Sequence, residues 1–296
     1  MDFKAYLKEK QQWVDQALKD FFPQPQGPAA TVIRAMHYSL FAGGKRLRPI
    51  LCLAGAEAVG GQSRVLLPVA CSLELIHTYS LIHDDLPAMD NDDLRRGQPT
   101  NHKVFGEAMA LLAGDGLLTE AFRLMTETVL PDSIPAQALL RTMGLIAGAA
   151  GYQGMVGGQT VDIEYTGKKV DPELLQFLHT RKTGALITAA VAAGAILGGG
   201  SEAHIRALTA YGESIGLAFQ IADDILDVEG DSKLMGKGTG GDARKNKITY
   251  PAVVGLEQSK KLKKELIARA ITALDPFGPG AEPLRHLANY IIERKK

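Results

Sequence analysis

The protein has 296 residues, 46% of them hydrophobic and 22% charged, which is enough apolar sequence to bury a sizeable core. Its 33 Lys plus Arg balance its 33 Asp plus Glu, so it lacks the excess positive charge of a nucleic-acid-binding protein. It has two cysteines, Cys52 and Cys71, both in apolar stretches, which argues against a disulfide framework and favours the reducing cytoplasm.

Helical spacing of apolar residues dominates the sequence, and no segment shows the sustained alternation of a half-buried strand. The pattern predicts an all-α fold, and the lack of a low-complexity linker predicts one domain over residues 1–296. Pro- and Gly-rich breakers separate the predicted helices. In chain order these are 3–21, 29–42, 47–60, 64–85, 104–129, 135–150, 172–198, 202–229, 248–256, 259–274 and 283–294.

Two stretches rich in Gly and Ala lie within this pattern. GYQGMVGGQTVDIEY, at 151–165, is predicted to be a place where a helix loosens, because Gly costs about 1 kcal/mol in a helix interior. TGALITAAVAAGAILGGG, at 183–200, is the most apolar run, yet it is poor in Leu and Phe. We interpret it as a tightly packed interior helix, and we expect no membrane span.

Acidic clusters end two of the apolar stretches. The first consists of Asp84, Asp85, Asp90, Asp92 and Asp93. The second consists of Asp223, Asp224, Asp227, Glu229 and Asp231. In the first cluster Pro87 disfavours helical geometry, so we expect the chain to bulge and to turn Asp90 back toward Asp84. In the second, Asp223 and Asp227 share a helix face one turn apart.

A bound cation is the simplest reason for such clusters, because carboxylates held close together repel each other. Oxygen ligands without His or Cys favour Mg²⁺ over zinc, and Mg²⁺ is usually shared with substrate phosphates. A solvated acidic helix end is the alternative for one cluster alone. Two clusters that both end apolar helices favour the metal.

Short Gly-flanked motifs supply positive charge that could meet phosphate. Their side chains are Lys45 and Arg48 in GGKRLRP, Arg95 and Arg96 in LRRGQPTNH, Arg181 and Lys182 in HTRKTGA, and Lys237, Lys245 and Lys247 in MGKGTGGDARKNKITYP. Each motif alone is more typical of a solvated loop, but together with two acidic clusters they predict a site for two polyphosphate groups. His77 lies seven residues before Asp84 on nearly the same helix face. We interpret it as a ligand contact, with a satisfied core histidine as the alternative.

The motifs also resemble those of a known family. DDLPAMD at 84–90, followed by NDDLRRGQPTNH, resembles the first aspartate-rich motif of the trans-prenyltransferase (polyprenyl synthase) family, and FQIADDILD at 219–227 resembles the second. GGKRLRP, RKTGAL and GKGTGGD…KITYP match further family signatures in order, from about residue 30 to the end of the chain. Within that family the likeness is greatest to the bacterial farnesyl diphosphate synthases.

The resemblance implies an isoprenoid-synthase-type helical bundle around a deep central cavity, and a cytoplasmic homodimer. It implies a head-to-tail condensation of isopentenyl diphosphate with dimethylallyl or geranyl diphosphate, after Mg²⁺-assisted ionisation of the allylic partner. It also implies about three Mg²⁺ ions per active site, with Mn²⁺ as an alternative. A geranylgeranyl diphosphate synthase and a non-catalytic subunit of a heteromeric synthase are the other readings.

Residue roles follow from the matched motifs. The implied metal ligands are Asp84, Asp90, Asp223 and Asp227, with Asp85 and Asp224 in support. The implied cations at the leaving diphosphate are Arg95, Lys182 and Lys237, with Lys247 close by. The implied isopentenyl diphosphate pocket consists of Lys45, Arg48, His77 and Arg96. Thr183 and Gln220 would place oxygen dipoles near the allylic cation.

Two residues before the first motif are expected to measure product length. Ser80 lies four residues before Asp84 on the same helix face, and Tyr79 precedes it. In the family these positions shape the floor of the cavity, and a large Tyr beside a small Ser resembles enzymes that stop at fifteen carbons. Ordinary helix packing is the alternative for Tyr79.

Overall fold

The structure, a computed structural model, describes residues 1–229 and 247–293. Its helices are α1 (Phe3–Phe21), α2 (Ala30–Leu40), α3 (Leu47–Ala58), α4 (Leu67–Asp84), α5 (Asn101–Phe105), α6 (Glu107–Thr126), α7 (Ala136–Ala150), α8 (Met155–Tyr165), α9 (Pro172–His179), α10 (Ala185–Leu197), α11 (Glu202–Glu229), α12 (Tyr250–Val254), α13 (Leu256–Ala273) and α14 (Glu282–Glu293). Short helical turns cover Ser63–Leu66, Thr180–Gly184 and Pro279–Ala281, and strands β1 (Leu94–Arg95) and β2 (Gln98–Pro99) form a small antiparallel hairpin. The predicted all-α class is confirmed.

The chain divides into two compact units. The N-terminal unit comprises Asp2–Leu53 and Arg64–Pro131, and the C-terminal unit comprises Met1, Ala54–Ser63 and Asp132–Lys296. The boundary at Leu53 falls inside α3 and not in a linker. The single domain that we expected from the sequence stays a prediction.

In the N-terminal unit, α4 packs along α6, while α1 and α2 pack against α4. A Cβ atom at Gly114 of α6 would lie 2.0 Å from Nε2 of His83, so only glycine lets the two helices approach this closely. Arg46 ties the unit together: it donates to Asp15 at 2.8 Å, to Glu74 of α4 at 2.8 Å and to the Leu40 carbonyl at 2.9 Å. Because Arg46 is only 3% exposed, its buried charge depends on these carboxylates for compensation.

In the C-terminal unit, α10 lies against α7 and α11, and α11 also packs along α13. Almost all of α10 is buried, which confirms the predicted interior helix. Glycines of α11 set its contact with α10 and with the turn before α10: a Cβ at Gly212 would lie 2.7 Å from Cα of Thr188, and one at Gly216 would lie 2.7 Å from Cα of Gly184. This close crossing fixes the helix that carries the second acidic cluster.

Among the described residues, one helical stretch is long and apolar enough to cross a membrane. It is Ser63–Asp84, and 67% of its most apolar window is buried inside the protein. That burial is typical of a core helix, because α4 packs its apolar surface against α1, α2 and α6.

The structure corrects two predicted helices and the stretch that was expected to loosen. The predicted helix 104–129 is broken at Gly106, whose φ of 84° lies in the left-handed region that glycine favours, so α5 and α6 are separate. The predicted helix 172–198 contains a π-helical turn over Thr180–Gly184. The stretch expected to loosen breaks only between α7 and α8, and then forms α8 over Met155–Tyr165.

Close packing explains the glycines of α8 better than a loosened helix does. A Cβ atom at Gly158 would lie 2.2 Å from the backbone nitrogen of Lys182, in the π-helical turn. Gly158 therefore lets α8 rest directly on the segment that carries Lys182 and Thr183.

We expect Gly158→Ala to lower the free energy of unfolding by about 1–3 kcal/mol, because the added methyl group overlaps backbone that must move. Gly144→Ala in α7 is the matched control, since its Cβ would meet nothing within 4 Å. Alanine should stabilise that helix by up to about 1 kcal/mol. Urea unfolding of both variants checks the pair, and equal effects would contradict the packing account.

Candidate active site

The first acidic cluster lies where α4 ends. The backbone N–H of Asp90 donates to the Asp84 carbonyl at 2.8 Å, and that of Asn91 donates to the Leu86 carbonyl at 3.1 Å. The turn predicted from Pro87 is therefore present, and it brings Asp90 back to the last residue of α4. Both Asp84 and Asp90 are half-buried.

Asp85 differs from its neighbour Asp84. It is 3% exposed, and its carboxylate accepts from Nε of Arg95 at 3.1 and 3.2 Å and from Nη2 of the same guanidinium. Burial by itself would lower the pKa of Arg95, but Asp85, with Asp92 and Asp84 nearby, raises it. Arg95 is thus held as a cation in a fixed orientation by a residue next to a predicted metal ligand.

The other two acids of this cluster stabilise the loop. Oδ2 of Asp92 lies 3.8 Å from Nη2 of Arg95, and Asp93 forms an ion pair with Lys103 at 2.7 Å. The Thr100 hydroxyl donates to the Asp92 carbonyl at 2.7 Å and closes the loop. These contacts position the loop that follows the first cluster.

Arginines surround His77 in the N-terminal unit. The pKa of His77 is well below its usual value, first because of burial and then because of the charges on Arg48, Arg96, Arg95 and Arg46. Asp15 and Glu74 compensate the charge of Arg46. The structure therefore brings Arg48, His77 and Arg96 into one electropositive neighbourhood that favours an anion.

The glycines of GGKRLRP make room for Arg96. A Cβ atom at Gly44, where φ is +138°, would lie 2.9 Å from Nη1 of Arg96, and the same Nη1 donates to the Gly43 carbonyl. The loop that carries the exposed Lys45 is thus fitted around this guanidinium.

Tyr79 is buried in the N-terminal unit, one turn before His83. It is 7% exposed, and its ring meets that of His83 edge-on, with centroids 5.7 Å apart. Burial, together with the charge of Asp84, raises the pKa of Tyr79 to about 12. His83 in turn lies 3.0 Å from the Leu111 carbonyl of α6, so Tyr79 packs against a side chain that is itself held by α6. Ser80 is half-buried, and its hydroxyl donates to the His77 carbonyl at 2.9 Å.

Asp162 of α8 binds two predicted cations of the C-terminal unit. This residue was not identified from the sequence. Its carboxylate accepts from Nζ of Lys182 at 2.6 Å and from Nζ of Lys247 at 3.0 Å. Burial would raise the pKa of Asp162, but the two ammonium groups outweigh it and the pKa is lowered. The available signal was a carboxylate in an apolar, Gly-rich segment, where burial requires a cationic partner.

Thr183 and Gln220 belong to a network that ends on Asp224. The Thr183 hydroxyl donates to Oε1 of Gln220 at 2.8 Å, and Nε2 of Gln220 donates to Oδ1 of Asp224 at 2.9 Å. Oδ2 of Asp224 accepts from the backbone N–H of Tyr250 at 2.9 Å. Asp224 is 1% exposed, whereas Asp223 and Asp227, one turn apart on α11, are half-buried.

Two predicted cations, Lys237 and Lys245, lie outside the described residues. In the part of the chain that the structure describes, no group of three or more His, Cys, Asp or Glu side chains is arranged to hold a metal ion. Mg²⁺ is usually bound through one or two carboxylates plus substrate phosphates. Asp84 with Asp90, and Asp223 with Asp227, each offer two half-buried carboxylates of that kind.

The chain matches the polyprenyl synthetase family over residues 30–275. A farnesyl diphosphate synthase of Geobacillus stearothermophilus is 51% identical over 88% of this chain and 87% of that protein. Large subunit 1 of the heterodimeric chloroplastic geranylgeranyl pyrophosphate synthase of Arabidopsis thaliana is 47% identical over 99% of this chain and 80% of that protein. The crystal structure of geranylgeranyl pyrophosphate synthetase from Pyrococcus horikoshii superposes with a TM-score of 0.90 at 32% identity, covering 99% of this chain and 98% of that one.

The lysine pair on Asp162 gives a pH-dependent stability. Because the folded-state pKa of Asp162 lies below its usual 3.8, the carboxylate stabilises the fold at neutral pH. That stabilisation is lost as the pH falls below about 4, through the lower folded-state value. We expect Asp162→Asn to reduce the free energy of unfolding by about 2 kcal/mol at pH 7, with a smaller difference at pH 3.

Urea unfolding of the wild type and Asp162→Asn between pH 7 and pH 3 measures this difference. Asp132→Asn, at an exposed loop position, is the control and should change stability little at any pH. A difference that grows as the pH falls would contradict the assignment.

Proposed function

The chain belongs to the polyprenyl synthetase family, and we propose that it condenses isopentenyl diphosphate with dimethylallyl and geranyl diphosphate to make farnesyl diphosphate and pyrophosphate. The observation that carries the proposal is that both aspartate-rich motifs are intact and that each follows a buried run of helix. The identity to a farnesyl diphosphate synthase supports the same reaction.

The isopentenyl diphosphate pocket is assigned to Arg48, His77 and Arg96, together with Lys45. The cluster of arginines that depresses the pKa of His77 supports this assignment, because such a concentration of positive charge binds a diphosphate well. His77 is neutral in that surrounding, so it acts as a hydrogen-bonding group and not as a further cation.

Arg95, Lys182 and Lys237 are assigned to the leaving diphosphate, together with Lys247. As the allylic C–O bond breaks, negative charge grows on the leaving oxygen, and cations fixed in advance stabilise it most. Asp85 holds Arg95, and Asp162 holds Lys182 and Lys247, so little rearrangement is needed when that charge develops.

The metal ligands are assigned to Asp84 and Asp90 and to Asp223 and Asp227. Bound Mg²⁺ would neutralise diphosphate charge and favour its departure. The carboxylates of these residues supply only oxygen donors, as Mg²⁺ requires.

The allylic cation must be kept from water, which would convert it to an alcohol. Thr183 and Gln220 are assigned to its stabilisation through their oxygen dipoles. After the new carbon–carbon bond forms, the adduct loses a proton, and the departing pyrophosphate is the acceptor that we propose.

A homodimer and a cytoplasmic location complete the proposal. On α6, Leu111 and Leu112 are 47% and 48% exposed, and a second copy would cover such an apolar surface. Two other activities remain as candidates, because relatives include a geranylgeranyl pyrophosphate synthase subunit of a heterodimer at 47% identity. One is a twenty-carbon product, and the other is activity only with a partner subunit.

Incubation of the purified protein with labelled isopentenyl diphosphate, geranyl diphosphate and Mg²⁺ tests the proposal. We expect a fifteen-carbon diphosphate, and we expect EDTA to abolish it. Asp84→Asn and Asp223→Asn should each reduce kcat by about 100-fold or more, because each removes a metal ligand. No incorporation by the protein alone would favour the subunit reading, and a twenty-carbon main product would favour the geranylgeranyl reading.

Tyr79 is the residue proposed to stop chain growth. We expect Tyr79→Ala to shift the main product from fifteen to twenty carbons or longer, because it removes a rigid ring braced by His83. Tyr79→Phe is the matched control, since it keeps the ring and should keep the fifteen-carbon product. Chromatography of the dephosphorylated products gives the answer, and an unchanged length for Tyr79→Ala would contradict this role.

A further inference from the structure

We infer that Asp224 is a positioning residue that sets the direction of the hydrogen bonds through Gln220 to Thr183, and so turns the Thr183 oxygen toward positive charge. The inference rests on the proposed function, because it concerns how the allylic cation is stabilised. It assigns to Asp224 a role distinct from that of the neighbouring predicted metal ligand Asp223.

The contacts of Asp224 point inward. Oδ1 accepts from Gln220 and Oδ2 accepts from the backbone N–H of Tyr250, each at 2.9 Å. Nε2 of the buried His179 lies 3.5 Å from the same Oδ2. Asp223 and Asp227, on the same helix, are instead half-buried. Each oxygen of Asp224 thus accepts a hydrogen bond from another group of the protein.

The direction of the network follows from donor and acceptor counting. A carboxylate that accepts through both oxygens obliges Gln220 to present its NH₂ group. The amide is then fixed, so its carbonyl oxygen faces Thr183. The hydroxyl of Thr183 has one hydrogen, and it is used in the bond to Gln220. The Thr183 oxygen therefore presents only lone pairs on its other side. There it can accept a hydrogen bond or face a positive charge.

This direction matters for the reaction. An oxygen whose hydrogen points away presents its negative end to a carbocation and stabilises it. If the network were reversed, the same hydroxyl would present its hydrogen to the cation and destabilise it. Asp224 therefore acts on the allylic cation through two other side chains, without touching it.

Asp224 has a second contact that could matter for a purely structural reason. By holding the Tyr250 N–H, it anchors the segment that carries Lys247, and His179 stacks on the Tyr250 ring with centroids 5.3 Å apart. The pKa of His179 is lowered to about 4, chiefly by burial, so the stack carries no charge at neutral pH. A variant that tests the inference must therefore keep the hydrogen bond to the Tyr250 N–H and change only the direction of the hydrogen bonds through Gln220 to Thr183.

Asp224→Asn reverses the network and keeps the anchor. The Tyr250 N–H still needs an acceptor, so the Asn carbonyl faces it and the Asn NH₂ faces Gln220. Gln220 must then flip and offer its NH₂ to Thr183, whose hydrogen turns toward the cation. We expect kcat to fall by about 100-fold, with the KM for isopentenyl diphosphate and the Mg²⁺ dependence unchanged.

Two further variants decide between the explanations. In the Thr183→Val background, Asp224→Asn should lower kcat by only about tenfold or less, because the Thr183 hydroxyl is gone and only the Gln220 dipole remains to be reversed. In Gln220→Glu/Asp224→Asn, the Asn NH₂ donates to one Glu oxygen and Thr183 donates to the other, which restores the original direction. We expect this double variant to recover at least about tenfold in kcat over Asp224→Asn.

An equal loss from Asp224→Asn with and without the Thr183 hydroxyl would overturn the inference. So would a double variant that folds but has a lower kcat than Thr183→Val, and this comparison holds even where Asp224→Asn itself does not fold. Thermal unfolding followed by circular dichroism identifies the folded variants. Wild-type protein that makes no prenyl diphosphate would instead overturn the proposed function.

Discussion

Buried aspartates must be compensated by donors within hydrogen-bond distance, and this one constraint arranges the predicted substrate-facing groups of both units. Asp85 is compensated by Arg95, Asp162 by Lys182 and Lys247, and Asp224 by Gln220 and the Tyr250 N–H. Most of these partners have a proposed role in binding the diphosphate or stabilising the carbocation. The Tyr250 N–H instead anchors the segment that carries such a group, Lys247. The fold thus places carboxylates behind the predicted catalytic groups and holds those groups in position before any ligand arrives.

The same constraint gives the two residues of each Asp–Asp pair, Asp84–Asp85 and Asp223–Asp224, different environments. Consecutive helical residues point about 100° apart, so two adjacent carboxylates cannot face the same way. In both pairs the second residue is buried, with Asp85 at 3% and Asp224 at 1% exposure, while Asp84 and Asp223 are half-buried. A doubled aspartate therefore supplies one predicted ligand for a cation and one support for a neighbouring side chain, which a single aspartate could not do.

Local chemistry was predictable from the sequence, and long-range pairing was not. The turn that returns Asp90 to Asp84 follows from Pro87 alone, since proline acts on its immediate neighbours. Asp162 was missed because its partner Lys247 lies 85 residues further on and because the glycines of α8 were taken for flexibility. A glycine can give the backbone conformational freedom, or it can let a neighbouring segment approach closely. For Gly158 only the position of Lys182 distinguishes these two uses. The direction of the Gln220 amide likewise depends on a backbone N–H that sequence spacing does not locate.

The rigidity of α4 explains why one side chain could control product length. Arg46 holds this helix near its middle through Glu74, and Arg95 holds the residue that follows its last turn, Asp85. Tyr79 lies five residues before Asp84, which corresponds to about 7.5 Å along the axis. Because α4 is held at its middle and at its C-terminal end, the depth available beyond Asp84 depends on the volume of the side chains on the surface of this helix. A change at Tyr79 would then alter length without altering the diphosphate contacts, so that chemistry and chain length can vary independently.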